Sequence, residues 1–244
     1  MNISPLVRSS LLITLLNITL LLEASGQNAA DSLVTSGNRK IEAGNYEEAG
    51  KDFEQALSIQ SGNKPALNGK ITSLYLQGRT REATREIDKA IENSPGYGDF
   101  YFTRGMISNQ RNNYRRALED FNRAIDLEPS NLSIIYLNRG ITRLNLSEMQ
   151  SALMDFEMAI DHNPQNIAAY NYRGMINYRN NQYEAAIEDF NNVITISPTN
   201  DVAHYNRGMA FLRKGDTMEA CADFHRACQL GNRNACQMII MECQ

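Results

Sequence analysis

The chain has 244 residues, of which 42% are hydrophobic and 21% are charged, and its formal net charge is −4. This apolar content is sufficient for a packed core, which excludes global disorder. A net negative charge without a block of Lys and Arg argues against nucleic-acid binding, because neutralising phosphates requires clustered cations. Only six prolines, alanine-rich stretches and no alternating β-branched runs favour an all-helical fold.

The N-terminal residues 1–26 have the organisation of a secretory signal. Arg8 supplies a positive charge, Leu11–Leu22 form an apolar run broken only by Thr and Asn, and Ala24–Gly26 offer small residues for cleavage. We expect cleavage before Gln27, a secreted or periplasmic location and no membrane span in the mature chain. The alternatives are an uncleaved anchor, which would need ~20 apolar residues, and a buried N-terminal helix.

The remaining sequence repeats with a period of 34 residues, with one extra residue in the third repeat. An alanine recurs at Ala49, Ala83, Ala117, Ala152, Ala186 and Ala220. Four residues after each alanine stand Phe53, Ile87, Phe121, Phe156, Phe190 and Phe224. Twelve residues before each alanine stand Gly37, Ile71, Gly105, Gly140, Gly174 and Gly208. The pattern defines six repeats, at about 30–63, 64–97, 98–132, 133–166, 167–200 and 201–234.

Each repeat is predicted to be a pair of antiparallel helices. The small residues let the two helices approach closely, and the aromatic residue fills the space beside them. Proline ends the second helix in four repeats, at Pro95, Pro129, Pro164 and Pro198. One helical hairpin cannot bury both of its faces, so the repeats are expected to stack into an α-solenoid forming one domain from residue 27 to 244.

The pattern of Gly, Ala, Phe, Ala and Pro at places 8, 20, 24, 27 and 32 of the repeat resembles the tetratricopeptide-repeat family. The second repeat departs from it, with Ile71 for the glycine and Ile87 for the aromatic residue. The resemblance implies a right-handed superhelix of six hairpins that binds other proteins on its concave face. The C-terminal stretch also resembles the cysteine-rich endings of exported bacterial repeat proteins.

Four cysteines lie in the last 24 residues, on either side of a turn around residues 231–234. In an antiparallel helical hairpin facing residues have a constant sum of residue numbers, and Cys228 with Cys236 has the same sum as Cys221 with Cys243. We therefore expect two disulfides, which export to an oxidising compartment would favour. The alternatives are a zinc site made of the first three cysteines and His225, and free buried thiols.

Residues 235–244 are predicted to form a capping helix. Cys236, Ile239, Ile240 and Cys243 would share one face and cover the open end of the sixth repeat.

A charge pattern also follows the repeat. Place 7 is occupied by Ser36, Lys70, Arg104, Arg139, Arg173 and Arg207. Place 23 is occupied by Asp52, Glu86, Asp120, Asp155, Asp189 and Asp223. We favour a structural ion pair over a charged ligand site, because ligand sites rarely recur in every repeat. The pattern is compatible with pairing within a repeat or between repeats, and only pairing between repeats would explain Ser36.

No residues converge on a catalytic pattern. His162 and His204 stand in no recognisable order with a Ser or Cys nucleophile, and the glycines recur as packing positions rather than as a phosphate loop. We therefore expect no enzymatic activity, no cofactor and no metal.

The first helices of the later repeats carry an apolar stripe interspersed with asparagines. Its members are Phe102, Met106, Leu137, Asn138, Ile141, Asn171, Tyr172, Met175, Tyr178, Tyr205, Asn206 and Met209. We predict that this stripe binds an extended peptide, whose side chains contact the apolar residues and whose backbone pairs with the amides. The alternatives are that some of these residues are core, or that the face mediates self-association into a homo-oligomer. Capture of a terminal carboxylate is not expected, because the family's paired Lys and Asn pattern is absent.

Together these patterns predict a non-enzymatic scaffold for a protein or peptide partner in an exported compartment such as the periplasm. The alternatives are an accessory subunit of a secreted or envelope enzyme or transport system, and a module that binds a small ligand or a glycan.

Overall fold

The computed structural model describes residues 26–129 and 131–243, so the predicted signal sequence up to residue 25 lies outside the described residues. All regular secondary structure in these residues is helical, in thirteen helices. The first, α1, covers 26–42. The others are α2 (Tyr46–Ile59), α3 (Lys64–Leu76), α4 (Thr80–Asn93), α5 (Gly98–Gln110), α6 (Tyr114–Asp126), α7 (Leu132–Asn145), α8 (Met149–His162), α9 (Ile167–Arg179), α10 (Tyr183–Ile196), α11 (Asp201–Lys214), α12 (Thr217–Gln229) and α13 (Arg233–Glu242).

Helices α1 to α12 follow the six predicted repeats, two helices to each, and α13 is the predicted cap. The chain divides into two compact units, one ending at Arg111 and the other beginning at Asn112. In each unit consecutive helices pack against one another, and first helices of neighbouring repeats also touch, α3 with α5 and α9 with α11. The all-helical solenoid with a C-terminal cap is therefore confirmed.

The turn inside each repeat is built on one left-handed residue at place 15, where φ lies between 59° and 99°. These residues are Gly44, Gly78, Asn112, Ser147, Asn181 and Gly215. Glycine and asparagine tolerate this conformation best, which explains why they fill the turns. Several first helices begin with an asparagine whose side chain accepts a backbone N–H, and α13 begins in the same way at Asn232.

The core of each repeat is centred on its place-24 side chain. Phe156 is fully buried, and a Cβ added at Gly140 would lie 2.7 Å from its ring. In the second repeat Ile71 and Ile87 replace the glycine and the aromatic residue, and both are fully buried. A larger residue in the first helix thus accompanies a smaller one in the second, so the departure from the repeat pattern keeps the core filled.

The C-terminal helix is held by the two predicted disulfides. Cys221 is bonded to Cys243 and Cys228 to Cys236, with Cα–Cα distances of 5.7 and 4.8 Å. No described cysteine is free, so no thiolate remains for the zinc alternative.

The predicted packing face of the cap is partly wrong. Ile239 packs against the core of the sixth repeat together with Met238, whereas Ile240 is 68% exposed. The disulfides set the rotation of α13 about its axis, and that rotation places Met238 inward in place of Ile240.

We expect Gly140→Ala to lower the free energy of unfolding by about 1–3 kcal/mol, because the added methyl group overlaps the buried Phe156 ring. The matched control is Gly96→Ala, since a Cβ at Gly96 meets nothing within 4 Å. Denaturant unfolding followed by circular dichroism measures both changes. Equal stability of the two variants would contradict the packing argument.

The disulfide pairing can be tested by cleaving the unreduced protein with trypsin and with cyanogen bromide. Trypsin alone leaves Cys236 and Cys243 on one peptide, and cleavage after Met238 separates them. We expect the peptide 227–233 to be linked to 234–238, and the peptide ending at Arg226 to be linked to 242–244. Other linkages, or thiols that react with an alkylating agent before reduction, would contradict this pairing.

Candidate functional site

The second unit contains an apolar pocket of about 260 Å³ between α9 and α11, with α10 at its base. We call it the α9–α11 pocket. It is lined by Met175, Tyr178, Arg179, Phe190, Tyr205, Asn206 and Met209. Five of these residues belong to the predicted partner-binding stripe: Met175, Tyr178, Tyr205, Asn206 and Met209. The structure therefore brings together residues from two consecutive first helices, as the repeat pattern predicts.

The repeat geometry explains how the pocket forms. Met175 and Met209 both occupy place 9, so they stand at equivalent positions on the two neighbouring first helices. Met175 is 41% exposed, whereas Phe190 beneath it is only 1% exposed. Two lining residues, Arg179 and Phe190, lie outside the predicted stripe, and Phe190 is the less expected of the two. Its place-24 position marks it as core, and nothing in the sequence indicates that the ring also borders a cavity.

Tyr178 is held at one side of the pocket by two contacts. Its ring lies 5.9 Å, centroid to centroid, from that of Tyr183. Its hydroxyl accepts a hydrogen bond of 3.4 Å from Nε of Arg213. On the opposite helix, Tyr205 packs at a tilt against the buried Phe224, with ring centroids 6.1 Å apart. These contacts restrict both tyrosines, so the pocket walls are largely preformed.

Four predicted stripe residues in the second unit make packing or hydrogen-bond contacts outside this pocket. Tyr172 stacks on Phe156 with ring centroids 5.2 Å apart, and Leu137 and Ile141 pack against the same core cluster. The Asn138 amide donates a 2.8 Å hydrogen bond to the carbonyl of Ile134 in its own helix. The structure thus gives these side chains packing contacts, and their role in partner binding stays a prediction.

The remaining three stripe residues are Asn171, Phe102 and Met106. The Oδ1 atom of Asn171 is buried and has no hydrogen-bond donor among the described residues. Phe102 and Met106 lie on α5 in the first unit, where both are half-buried. The stripe is therefore not confined to a single unit, because two of its twelve members belong to the first unit and ten to the second.

The repeated cations form a ladder of ion pairs within the repeats of the second unit. Arg139 pairs with Asp155 at 2.6 Å, Arg173 with Asp189 at 2.7 Å and Arg207 with Asp223 at 2.6 Å. All three aspartates are at most 4% exposed. Burial raises the pKa of Asp189, and the hydrogen bonds from Arg173 and Asn177 oppose that rise. Asp189 thus depends on Arg173 and Asn177 to remain charged.

The place-7 cations also contact the side chain at place 25 of the preceding repeat. Arg139 donates to Asn122 at 2.7 Å, Arg207 donates to Asn191 at 2.5 Å and Lys70 pairs with Glu54 at 3.4 Å. A cation of a first helix therefore bonds the second helix of its own repeat, the second helix of the preceding repeat, or both.

The first repeat has a substitute arrangement for its missing cation. The hydroxyl of Ser36 donates to Asp52 at 2.7 Å, and Lys40 pairs with the same carboxylate at 2.6 Å. These bonds hold the pKa of Asp52 below its ordinary value, although burial opposes them. In these repeats the charged side chains therefore have partners on the helices packed against them.

No metal site or membrane span is found in the described ranges. Within residues 26–129 and 131–243 no three His, Cys, Asp or Glu side chains are arranged to hold a metal ion. No helix in the same ranges is long and apolar enough to cross a bilayer. His204 directs its two ring nitrogens at Asp223 and the carbonyl of Pro198, both at 3.2 Å, so its contacts are structural.

We expect Asp155→Asn to lower the free energy of unfolding by about 3 kcal/mol, because it leaves the partly buried Arg139 and Arg143 without a carboxylate. Glu157→Gln is the matched control, since it removes one charge from an exposed site on the same helix and should cost under about 0.5 kcal/mol. Urea unfolding curves measure the difference. Similar midpoints for the two variants would show that the ladder is not stabilising.

Comparison with known proteins supports the repeat assignment. Tetratricopeptide-repeat family models match residues 30–63, 68–131 and 174–215. The DnaJ homolog subfamily C member 7 homolog of Dictyostelium discoideum is 29% identical over 105 residues, which are 41% of this chain and 20% of that protein. The chain thus spans about a fifth of the length of this relative.

Two solved structures have a similar fold. Pseudomonas aeruginosa pilF superposes with a TM-score of 0.74 at 17% identity, over 89% of this chain and 99% of that one. YrrB, described as a TPR protein with an unusual peptide-binding site, superposes with a TM-score of 0.62 at 19% identity, over 75% of this chain and 94% of YrrB. Together the family matches cover more than half of the sequence, and the chain belongs to the tetratricopeptide-repeat family.

Proposed function

We propose that the protein is a non-enzymatic scaffold that binds an extended segment of a partner protein in the α9–α11 pocket. Proteins with this fold are typically protein-interaction scaffolds. The observation that carries the proposal is the pocket itself, because five residues of the predicted stripe converge on one apolar cavity. Aromatic and methionine side chains adapt well to varied apolar partners.

The size of the pocket favours a peptide side chain over a small-molecule ligand. Its volume of about 260 Å³ lies below the range of roughly 300–1,000 Å³ that is usual for small-molecule sites. A segment of a partner protein could place one bulky apolar side chain there and extend along the neighbouring first helices. The accessory-subunit alternative differs only in the partner. The glycan alternative would use a more polar cavity, such as the one of about 540 Å³ lined by Arg173, Asn177 and Asp189.

We also propose that the protein acts in an exported compartment, in keeping with the predicted signal at residues 1–26. The two disulfides support this, because disulfides persist in oxidising compartments and are rare in the cytosol.

The proposal is tested by Met175→Glu, which places a charge in the apolar pocket at an exposed position where folding should be little affected. Met154→Glu is the matched control, because Met154 is 65% exposed on α8 and does not line the pocket. Each variant, and the unchanged chain, is immobilised and incubated with an extract of the source organism, and retained proteins are quantified by mass spectrometry.

We expect one stoichiometric partner to be retained by the unchanged chain and by Met154→Glu. Its recovery should fall roughly tenfold with Met175→Glu, which corresponds to about 1.4 kcal/mol of binding free energy. Circular dichroism confirms that both variants are folded. Equal recovery of every protein by the two variants would exclude the pocket as the binding site. Tyr172 is a less suitable target, because its replacement would also remove the stacking on Phe156.

A further inference from the structure

Two arginines occupy the same place in consecutive first helices beside the pocket. Arg179 and Arg213 both stand at place 13, in the last turns of α9 and α11, and both are exposed. Arg179 lines the pocket. Arg213 donates to the hydroxyl of Tyr178, which also lines it. Because α9 and α11 are in contact, the two guanidinium groups flank the same end of one apolar cavity.

These two arginines differ from the ladder arginines in their partners. Arg139, Arg173 and Arg207 are paired with buried aspartates. Among the residues that the structure describes, neither Arg179 nor Arg213 has a carboxylate within 4.0 Å. Nearby acids are already engaged, since Lys214 pairs with Glu184 at 3.7 Å and with Asp216 at 3.0 Å.

The arginines are not explained by a requirement of the helix ends. A cation in the last turn does stabilise a helix, by about 0.3–1 kcal/mol at an exposed site. However, the first helices of the first four repeats have no cation at place 13, where Glu42, Leu76, Gln110 and Asn145 stand. The cations are therefore confined to the two helices that form the pocket.

We propose that the pocket selects an internal segment of a partner protein in which aspartate or glutamate lies two residues from a bulky apolar side chain. This rests on the proposed function and specifies its partner. In an extended segment, residues i and i+2 point to the same side and lie about 7 Å apart. An apolar side chain in the pocket would thus hold the carboxylate beside Arg179 and Arg213, whose forked donors suit carboxylates.

The net charge of the whole chain favours a single carboxylate over a uniformly acidic partner. The net charge is −4, so a uniformly acidic partner is repelled, while a single carboxylate near these two arginines is attracted. The apolar walls of the pocket strengthen that attraction by excluding water from part of the site.

The experiment uses acetylated and amidated nonapeptides of Gly and Ser with a central Phe, and with Asp, Ser or Lys two residues from it. A fourth peptide has no acid but ends in a free carboxylate two residues after Phe. Binding to the purified chain is measured by isothermal titration calorimetry at low and moderate salt. The pocket variant is the double substitution Arg179→Glu and Arg213→Glu. The control is the double substitution Arg226→Glu and Arg233→Glu, which changes the net charge by the same amount at exposed sites outside the pocket.

We expect the Asp peptide to bind about tenfold more tightly than the Lys peptide, with the difference shrinking as salt increases. The pocket variant should reverse the preference, and the control should keep it. Equal binding of Asp, Ser and Lys peptides would overturn this proposal and leave the apolar pocket intact. Preference for the free terminus alone, or an Asp preference that survives in the pocket variant, would also overturn it. If no peptide binds, this proposal fails, and the Met175→Glu comparison still decides the proposed function.

Discussion

The close contact between the place-24 phenylalanine and the place-8 glycine is the packing constraint on which the second unit depends. In the fifth repeat, a Cβ on Gly174 would lie 2.9 Å from the ring of Phe190, so the two helices approach as closely as side chains allow. The same ring is the base of the α9–α11 pocket. The pocket is therefore a direct product of core packing, because the ring that closes the hairpin also separates the neighbouring first helices.

A second constraint on helix packing is the ladder of ion pairs formed by the place-7 arginines. Each ladder arginine bonds a buried aspartate of its own repeat, and Arg139 and Arg207 also bond an asparagine of the repeat before. Two side chains bonded to one planar cation restrict both the distance and the rotation of the helices, since a guanidinium offers its donors in set directions. The ladder thus keeps first helices in register, which is what places residues of equal place number side by side around the pocket.

The end of the second unit is stabilised differently. Helix α13 begins with the same asparagine cap as several first helices, but among its described residues only Ala235 is buried. So little burial contributes little stability, since fully burying one large apolar side chain is worth roughly 1.5–3 kcal/mol. Two disulfides to α12 compensate by restricting the unfolded chain. The two disulfides thus hold α13 against the core of the sixth repeat.

The amino-acid sequence alone determined the repeat length, the helix order, the disulfide pairing and five of the seven residues that line the pocket. These follow from local periodicity, because helical spacing and antiparallel pairing are the same in every repeat. Only the tertiary structure decided that Tyr172 stacks on Phe156 while Tyr205 lines the pocket, and that Ile240 is exposed while Met238 is packed. It also decided that the ladder joins helices both within and between repeats. These outcomes depend on the direction of each side chain and on the rotation of each helix about its axis. Equivalent positions in different repeats share these only approximately, because each helix adjusts to the volumes of the side chains around it.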